Sequence, residues 1–299
     1  MTREEFENEV KKCNFIDNEF EKIYSKFKKY QDLAIQTLNE LHNICEKNEI
    51  KYQLAFGSLL GAVRDNGQIP WDYDIDVFIP YNQKEKLINV LKKELSEKYY
   101  FYCPEINKNC RHYFMRIAPK GYDSSKLHVD VFYLIGAPIN DEENLNFDNQ
   151  MRHLFNIRYV KKVKLNDIPK KKLLKMIISK LKYSFLNINK IDKKMEILCT
   201  KYDYDLSKKY IPVFDVYKHI SFETKILKQT INKDTLFGTF RISSEYEKIL
   251  HQIYGDYKKI FPLENRVNEM ITSYSKISGQ KINNIIHDKN IINGRYYID

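Results

Sequence analysis

The sequence contains few of the residues that build fibrous, linker or disulfide-stabilised proteins. Its 299 residues include only 9 glycines and 8 prolines, which excludes a collagen-like chain or a Gly/Pro-rich linker. The 5 cysteines are an odd number with no tight pairing pattern, which favours a reducing compartment. No apolar run approaches the ~18 residues of a membrane-spanning helix, and residues 1–15 contain no apolar signal core. We therefore expect a cytoplasmic protein, either free or attached peripherally to the inner face of the membrane.

What the chain does contain is core-forming residues and a surplus of positive charge. Hydrophobic residues make up 43% and aromatic residues 14%, which excludes disorder of the whole chain. The 50 Lys and Arg residues against 40 Asp and Glu give a net charge of +10. Residues 160–182 alone contain nine lysines against one acid, Asp167, and so carry +8 of that surplus. The basicity is local, and because few aromatic residues alternate with these lysines, we expect no specific nucleic-acid partner.

The lysine-rich segment is predicted to continue into a helix at residues 170–185. Leu174, Ile177, Ile178, Leu181 and Phe185 fall on one face of that helix. The interpretation that we favour is an ordinary surface helix whose apolar face lies in the core. Docking of residues 160–182 to an anionic membrane surface, or binding of a negatively charged acceptor, is the alternative.

The periodicity of apolar residues predicts an α+β protein. Residues 20–45 repeat apolar side chains every three or four positions, which indicates one long amphipathic helix. Further helices are predicted at 81–95, 170–185, 191–200 and 244–254, and β-like runs at 52–56, 72–79, 99–102, 113–117 and 127–135. We divide the chain into residues 1–140, a mixed sheet with its N-terminal helix, and residues 141–299, a helix-rich region packed on it that completes the substrate site.

The most informative pattern is a series of alternating carboxylates. Asp72, Asp74 and Asp76 lie two residues apart, so on a strand all three side chains would point to one face. Three adjacent carboxylates repel each other, and a hard divalent cation with oxygen ligands would relieve that repulsion. A solvated edge strand would show the same spacing, but the apolar residues within 75–79 favour a central strand.

A second apolar strand carries a single acid. Asp130 lies in the run LHVDVFYLI, residues 127–135, and a carboxylate among such neighbours needs a partner. If this strand lies beside the first, Asp130 becomes the third carboxylate of one metal site.

Candidate phosphate contacts precede and follow the acids. Gly57 and Ser58 open a predicted short helix at residues 59–64, where backbone N–H groups and a hydroxyl can hold a phosphate. Ser58 would also serve as an ordinary N-cap. Arg64, at the end of that helix, is either a phosphate ligand or a surface arginine. Arg116, on a predicted strand, is either a phosphate contact or the partner of a core acid.

Several other residues have less specific patterns. His112 and His128 are interpreted as hydrogen-bonded scaffold residues rather than catalysts. Cys103, Cys110 and His112 lack the spacing of a zinc site. Trp71, the single tryptophan, is interpreted as an anchor for its loop, with stacking on a cytosine ring as the alternative.

Taken as a string, residues 57–77, GSLLGAVRDNGQIPWDYDIDV, resemble the signature of the LicD/fukutin-type family. The family's typical form is GTLLGAxR, a short loop and then PWDDDID. HVDVF at 128–132 resembles its later IDIF strand, and YGDY at 254–257 with FPLENR at 261–266 resembles its C-terminal motif. The order of these motifs is also that of the nucleotidyltransferase-fold superfamily.

Two positions depart from the family's typical form. Ser58 replaces the usual threonine and keeps the hydroxyl, whereas Tyr73 replaces the middle aspartate of PWDDDID. By strand alternation, Tyr73 would face away from Asp74 and Asp76, so metal binding is expected to survive the change.

The resemblance implies a nucleotidyltransferase-like mixed sheet flanked by helices, and a phosphorylcholine-transferase-like enzyme of polysaccharide biosynthesis. Such an enzyme transfers phosphocholine or a polyol phosphate from a CDP-activated alcohol to a hydroxyl of a cell-surface glycan or glycolipid, such as lipopolysaccharide or capsule, and releases CMP. Mg²⁺, or Mn²⁺, would be its cofactor. A nucleotidyltransferase that adds a nucleotide to a small molecule, protein or RNA is the alternative function.

The family's site residues carry over by position. The implied metal ligands and catalytic residues are Asp74, Asp76 and Asp130, the last as a further ligand or general base. The implied contacts to the donor phosphates are Gly57, Ser58 and Arg64, and we add Arg116 as a candidate of the same kind.

Overall fold

A mixed β-sheet organises the computed structural model, which describes residues 1–13, 19–214, 219–280 and 282. In the described part of the chain this sheet has seven strands, in the order β1-β2-β5-β4-β3, with β6 on the same edge of β5 as β4 and β7 beside β6. Only β2 and β5 pair in parallel. The strands are β1 Gln53–Leu54, β2 Ile75–Pro80, β3 Tyr99–Tyr102, β4 Met115–Pro119, β5 Val129–Ala137, β6 Lys209–Val213 and β7 Phe222–Glu223. A separate hairpin comprises β8 Thr230–Thr235 and β9 Gly238–Ser243.

Helices surround these strands, which confirms the α+β class. They are α1 Arg3–Lys11, α2 Glu19–Lys47, α3 Phe56–Leu60, α4 Lys84–Glu94, α5 Asp141–Lys162, α6 Lys170–Lys182, α7 Ile188–Cys199, α8 Tyr246–Tyr254 and α9 Leu263–Ser278. The long helix expected at 20–45 is α2, whose buried face includes Phe27, Leu38 and Leu41. It packs across β2, β4 and β5, so it covers one face of the sheet.

Residues 141–299 contribute more than helices. Strand β6 pairs with Tyr133–Ala137 of β5, and β7 extends the sheet from β6. The sequence patterns did not predict β6 to β9, nor the helices α1, α5 and α9. Short strands such as KYIPV, which is β6, give too few alternations to be distinguished from loop, and β6 forms here by pairing with β5.

Trp71 anchors the loop that leads into β2. Its side chain is buried, and its ring centre lies 5.5 Å from that of Phe6. The guanidinium groups of Arg64 and Arg266 lie 5.6 and 5.3 Å from the same ring centre. Trp71 therefore has the anchoring role predicted for it.

Helix α6 contradicts the interpretation that we favoured from the sequence. None of its residues is buried, and the exposed fractions reach 71% for Leu174, 59% for Ile178 and 68% for Leu181. Leu173 and Met176, on the opposite face, are half-buried. Periodicity identified the apolar face correctly, but it carries no information on whether another element covers that face. In the described ranges no helix is both long enough and apolar enough to cross a bilayer.

Candidate active site

Three neighbouring strands place two acids and one arginine side by side. The parallel register of β2 and β5 sets Asp76 opposite Asp130, and the antiparallel register of β4 and β5 sets Arg116 opposite Asp130. Side chains at paired positions of a sheet point to the same face. The expectation that Asp130 lies on a strand beside the first carboxylates is confirmed.

The other two acids do not lie on that strand. β2 begins at Ile75, so the prediction of a strand from residue 72 is wrong for its first three residues. Asp72 instead accepts hydrogen bonds at its Oδ1 from the backbone N–H groups of Tyr73 and Asp74, at 2.7 and 3.2 Å. Such local side-chain bonding favours a turn over an extended chain.

The carboxylates nevertheless converge. Burial and, after it, the charges of Asp130, Asp74 and Asp72 raise the pKa of Asp76 well above its usual value. Burial and the charge of Asp74 raise the pKa of Asp72 to about 7. The acids are thus close enough to repel one another, which is the condition that an added cation relieves.

Asp130 differs from its neighbours because it has cationic partners. Arg116 donates from Nε to Asp130 Oδ1 at 2.7 Å and from Nη2 to Oδ2 at 3.4 Å, and His128 Nε2 lies 3.3 Å from Oδ1. Burial would raise the pKa of Asp130, but His128 and Arg116 outweigh it and hold the pKa below its usual range. Of the two interpretations of Arg116, the structure shows the ion pair with a core acid.

The Gly-Ser turn, which in the structure is the first turn of helix α3 at Gly57 and Ser58, lies directly against the acids. Helix α3 begins at Phe56, earlier than predicted, so Ser58 is inside the helix and is not its N-cap. The Ser58 hydroxyl accepts a hydrogen bond from the backbone N–H of Asp76 at 2.8 Å, which ties the turn to β2. A Cβ at Gly57 would lie 3.4 Å from Asp72 Oδ2, so any larger side chain there would extend over the Asp72 carboxylate.

Arg64 is buried rather than exposed. It lies in a π-helical turn, Gly61–Asp65, that continues α3. Its side chain is only 7% exposed and donates to both carboxylate oxygens of Asp65, from Nε at 3.0 Å and from Nη2 at 2.7 Å. A surface arginine is therefore excluded, and Asp65 holds Arg64 through Nε and Nη2.

The second glycine of the motif has a packing role. A Cβ at Gly61 would lie 2.5 Å from the carbonyl oxygen of Gly67, a distance that real Cβ atoms essentially never show. Glycine at this position therefore lets the loop after the π-helical turn fold back closely, which brings the chain to the start of β2.

Two residues of the C-terminal region lie close enough to the acids for their charges to interact. Burial raises the pKa of Tyr254, and the charges of Asp76 and Asp72 raise it further. Glu269 of α9 contributes in the same way to Asp72. The sequence had identified the YGDY motif by resemblance alone, because no periodicity shows that Tyr254 would lie near residues some 180 positions earlier.

The acids suit a metal that is shared with a substrate. In the ranges that the structure describes, no three His, Cys, Asp or Glu side chains are arranged to enclose a metal ion by themselves, and this includes Cys103, Cys110 and His112. Asp74 Oδ1 is buried without a hydrogen-bond partner, and Asp76 is held among repelling carboxylates. Mg²⁺ commonly takes one or two carboxylates and completes its shell with substrate phosphates and water. The residues fit that kind of site.

Part of the chain matches a known family, and a larger part matches a curated protein. Residues 49–173 match the family model described as LicD/FKTN/FKRP, nucleotidyltransferase domain. The lipopolysaccharide cholinephosphotransferase LicD of Haemophilus influenzae is 27% identical over 270 aligned residues, which cover 79% of this chain and 92% of that protein. An uncharacterized protein of Rickettsia prowazekii is 41% identical over 56 residues, 19% of this chain and 21% of its own.

Proposed function

We propose that the chain is a metal-dependent phosphotransferase of the LicD type, a family whose nucleotidyltransferase-domain model matches residues 49–173. It moves a phospho-alcohol group, phosphocholine or a polyol phosphate, from a CDP-activated donor to a hydroxyl of a cell-surface glycan and releases CMP. Its five cysteines are free, which supports an enzyme that works in the reducing cytoplasm.

One observation carries the proposal: the register that sets Asp76, Asp130 and Arg116 side by side, with the Gly57–Ser58 turn bound to the same strand. Phosphoryl transfer needs anionic ligands for a metal, cationic groups for phosphate oxygens and fixed positions for both. The three strands supply these groups on one face of a rigid sheet.

Asp74 and Asp76 are the proposed metal ligands. The buried, unpartnered Oδ1 of Asp74 is one open coordination position, and Asp76 faces Asp130 across the strands. A bound Mg²⁺ or Mn²⁺ would neutralise the donor diphosphate and the charge that develops on the leaving CMP. The Gly57–Ser58 turn would place its backbone against that diphosphate.

Arg116 is the proposed contact to the transferred phosphate. It can reach a phosphate without leaving Asp130, because Nη2 makes the longer of its two bonds to that carboxylate, at 3.4 Å. Exchange of this bond for a phosphate oxygen would free one oxygen of Asp130. That oxygen could then accept the proton of the attacking glycan hydroxyl, a general-base role for Asp130.

The test is CMP release. Purified protein is incubated with Mg²⁺, lipopolysaccharide and, in separate reactions, CDP-choline, CDP-ribitol or CDP-glycerol. We expect one donor to yield CMP, and Asp74→Asn and Asp76→Asn each to lower the rate on the order of a thousandfold. Asp234→Asn, an exposed acid on β8, is the matched control and should leave the rate unchanged.

Two outcomes would contradict the proposal. CMP release that persists in both aspartate variants would remove these acids from the chemistry. Pyrophosphate release from a nucleoside triphosphate, in place of CMP from a CDP-alcohol, would instead establish a nucleotidyltransferase that adds a nucleotide to its acceptor.

A further inference from the structure

Helix α6 presents an apolar stripe to solvent. Leu174, Ile178, Leu181 and Phe185 are exposed by 71%, 59%, 68% and 80% of their surface, and Ile177 by 36%. At 100° per residue Leu174, Ile177, Ile178 and Leu181 form one continuous band along the helix, and Phe185 follows in the turn after the helix, which ends at Lys182 rather than at the predicted residue 185. Water does not stabilise such a band, so a surface of this kind indicates a partner.

Lysines border this stripe. Lys171, Lys175 and Lys182 follow one side of the band by the same helical spacing, and all three are exposed. Further lysines precede the helix, and Asp167 is the single acid in residues 160–182. The pKa of Lys180 is lowered by burial and by the charge of Lys161, so the lysines also repel one another.

Hydrogen bonds at its C-terminal end hold the helix to the body of the protein. Lys161 on α5 donates from Nζ to the carbonyl oxygens of Tyr183 and Ser184, at 3.0 and 3.3 Å. Lys180 donates from Nζ to the carbonyl oxygen of Lys161 at 3.3 Å. These bonds hold the stripe and its lysine border in a fixed outward orientation.

We propose that α6 is a docking surface for an anionic lipid bilayer. The helix lies parallel to the membrane, with Leu174, Ile178, Leu181 and Phe185 inserted among the acyl chains and the bordering lysines at the lipid phosphates. The apolar stripe favours a bilayer over a soluble polyanion, because a polyanion would bind the lysines and leave the stripe in water. The strong positive charge separates it from a second copy of the same helix, which would repel it.

The first experiment measures cosedimentation of the full chain with vesicles. The vesicles contain phosphatidylcholine alone, or phosphatidylcholine and phosphatidylglycerol in equal parts. We expect binding only to the mixed vesicles, weaker at high salt. The assay contains neither donor nor glycan, so its result does not depend on the transferase activity.

Two variants separate the charge from the apolar stripe. Lys171→Gln/Lys175→Gln/Lys182→Gln should weaken binding by about fivefold per lysine. Its matched control is Lys22→Gln/Lys26→Gln/Lys29→Gln, which removes three exposed lysines of α2. Leu174→Ser/Leu181→Ser should weaken binding at least about tenfold, against Leu206→Ser/Ile231→Ser, a control at exposed apolar residues elsewhere.

A reporter at the end of the stripe tests insertion directly. The single natural tryptophan, Trp71, is buried at 4% exposure, so Phe185→Trp adds one solvent-exposed indole. We expect its emission to shift to the blue with mixed vesicles and to be quenched by brominated lipids. All substituted positions are exposed, and far-UV circular dichroism should remain that of the unchanged protein.

The proposal would be overturned by binding that the leucine pair leaves unchanged while the lysine triple abolishes it. That result would mean that the surface binds polyanions in general. Soluble heparin should then displace the unchanged protein from the vesicles completely. Absence of binding to either vesicle, or a Phe185→Trp emission that does not shift, would overturn it equally.

Discussion

The strand-borne acids and the lysine-rich helix α6 are both concentrations of like charge, yet the protein treats them in opposite ways. Asp76 and Asp130 are drawn into the sheet, where Arg116 and His128 lie against Asp130. The α6 lysines other than the half-buried Lys180 stay in water, where repulsion between them is screened. A buried charge needs an oppositely charged or hydrogen-bonding partner inside the protein, whereas an exposed charge is stabilised by water without one. The difference predicts that the same kind of substitution has very different costs in the two regions.

The largest effect is expected where a buried partner is removed. Arg116→Met leaves Asp130 without its bidentate donor, and we expect a loss of about 3–5 kcal/mol in the free energy of unfolding, measured by urea denaturation, together with loss of CMP release. Arg116→Met/Asp130→Leu removes both charges and should recover most of the stability but none of the activity. If the double variant were as unstable as the single one, the ion pair would not be the source of the cost.

A buried lysine, Lys84, can be compared directly with the exposed lysines of α6. Lys84 is only 6% exposed and binds Glu196 at 3.1 Å, Glu105 at 3.2 Å and the hydroxyl of Tyr81 at 2.9 Å. We expect Lys84→Met to lower the free energy of unfolding by about 3 kcal/mol. Urea denaturation of Lys175→Met, the exposed counterpart on α6, provides the reference.

A smaller effect is expected at the bond between the Gly-Ser turn and β2. Ser58→Ala removes the acceptor for the backbone N–H of Asp76, at a cost of about 1–2 kcal/mol in the free energy of unfolding. CMP release should fall as well, because Asp76 loses one of its fixed supports. Ser58→Thr keeps the hydroxyl and should restore both, and failure of this rescue would show that the hydroxyl is not what matters.

The smallest effect is expected on α6 itself. Lys171→Gln/Lys175→Gln/Lys182→Gln should change the free energy of unfolding by no more than about 0.5 kcal/mol, and CMP release from a soluble acceptor should be unchanged. Only assays with membrane present should respond. A large loss of stability in this variant would mean that these lysines have structural partners, and the contrast between the two regions would fail.

The same contrast explains what could be predicted from the sequence. The period of two around Asp76 and the apolar run around Asp130 sufficed to predict two strands, because their apolar residues indicate burial. Their adjacency was only a condition of the predicted site, and the structure meets it. The turn at Asp72 was missed because it is set by two hydrogen bonds from backbone N–H groups to the Asp72 side chain, which apolar periodicity does not show. The partner of Arg64 is the adjacent Asp65, and what the sequence did not show there is that the pair is buried. The partner of Arg116, the strand β6 and the exposure of α6 all depend on residues distant in sequence. Local sequence patterns do not predict such contacts.

Strand β5 serves two neighbours along a single edge, β4 at its start and β6 at its end. While the chain is being made on the ribosome, β5 is complete some seventy residues before β6 exists. During that interval the end of β5, Tyr133–Ala137, has unpaired backbone groups on this edge, and such an edge invites pairing with other chains. A fragment that ends at residue 140 would keep the edge open permanently. The sheet that carries the acids would then be prone to aggregate. We therefore expect residues 209–213 to keep the catalytic sheet soluble, although they contribute no side chain to the acids.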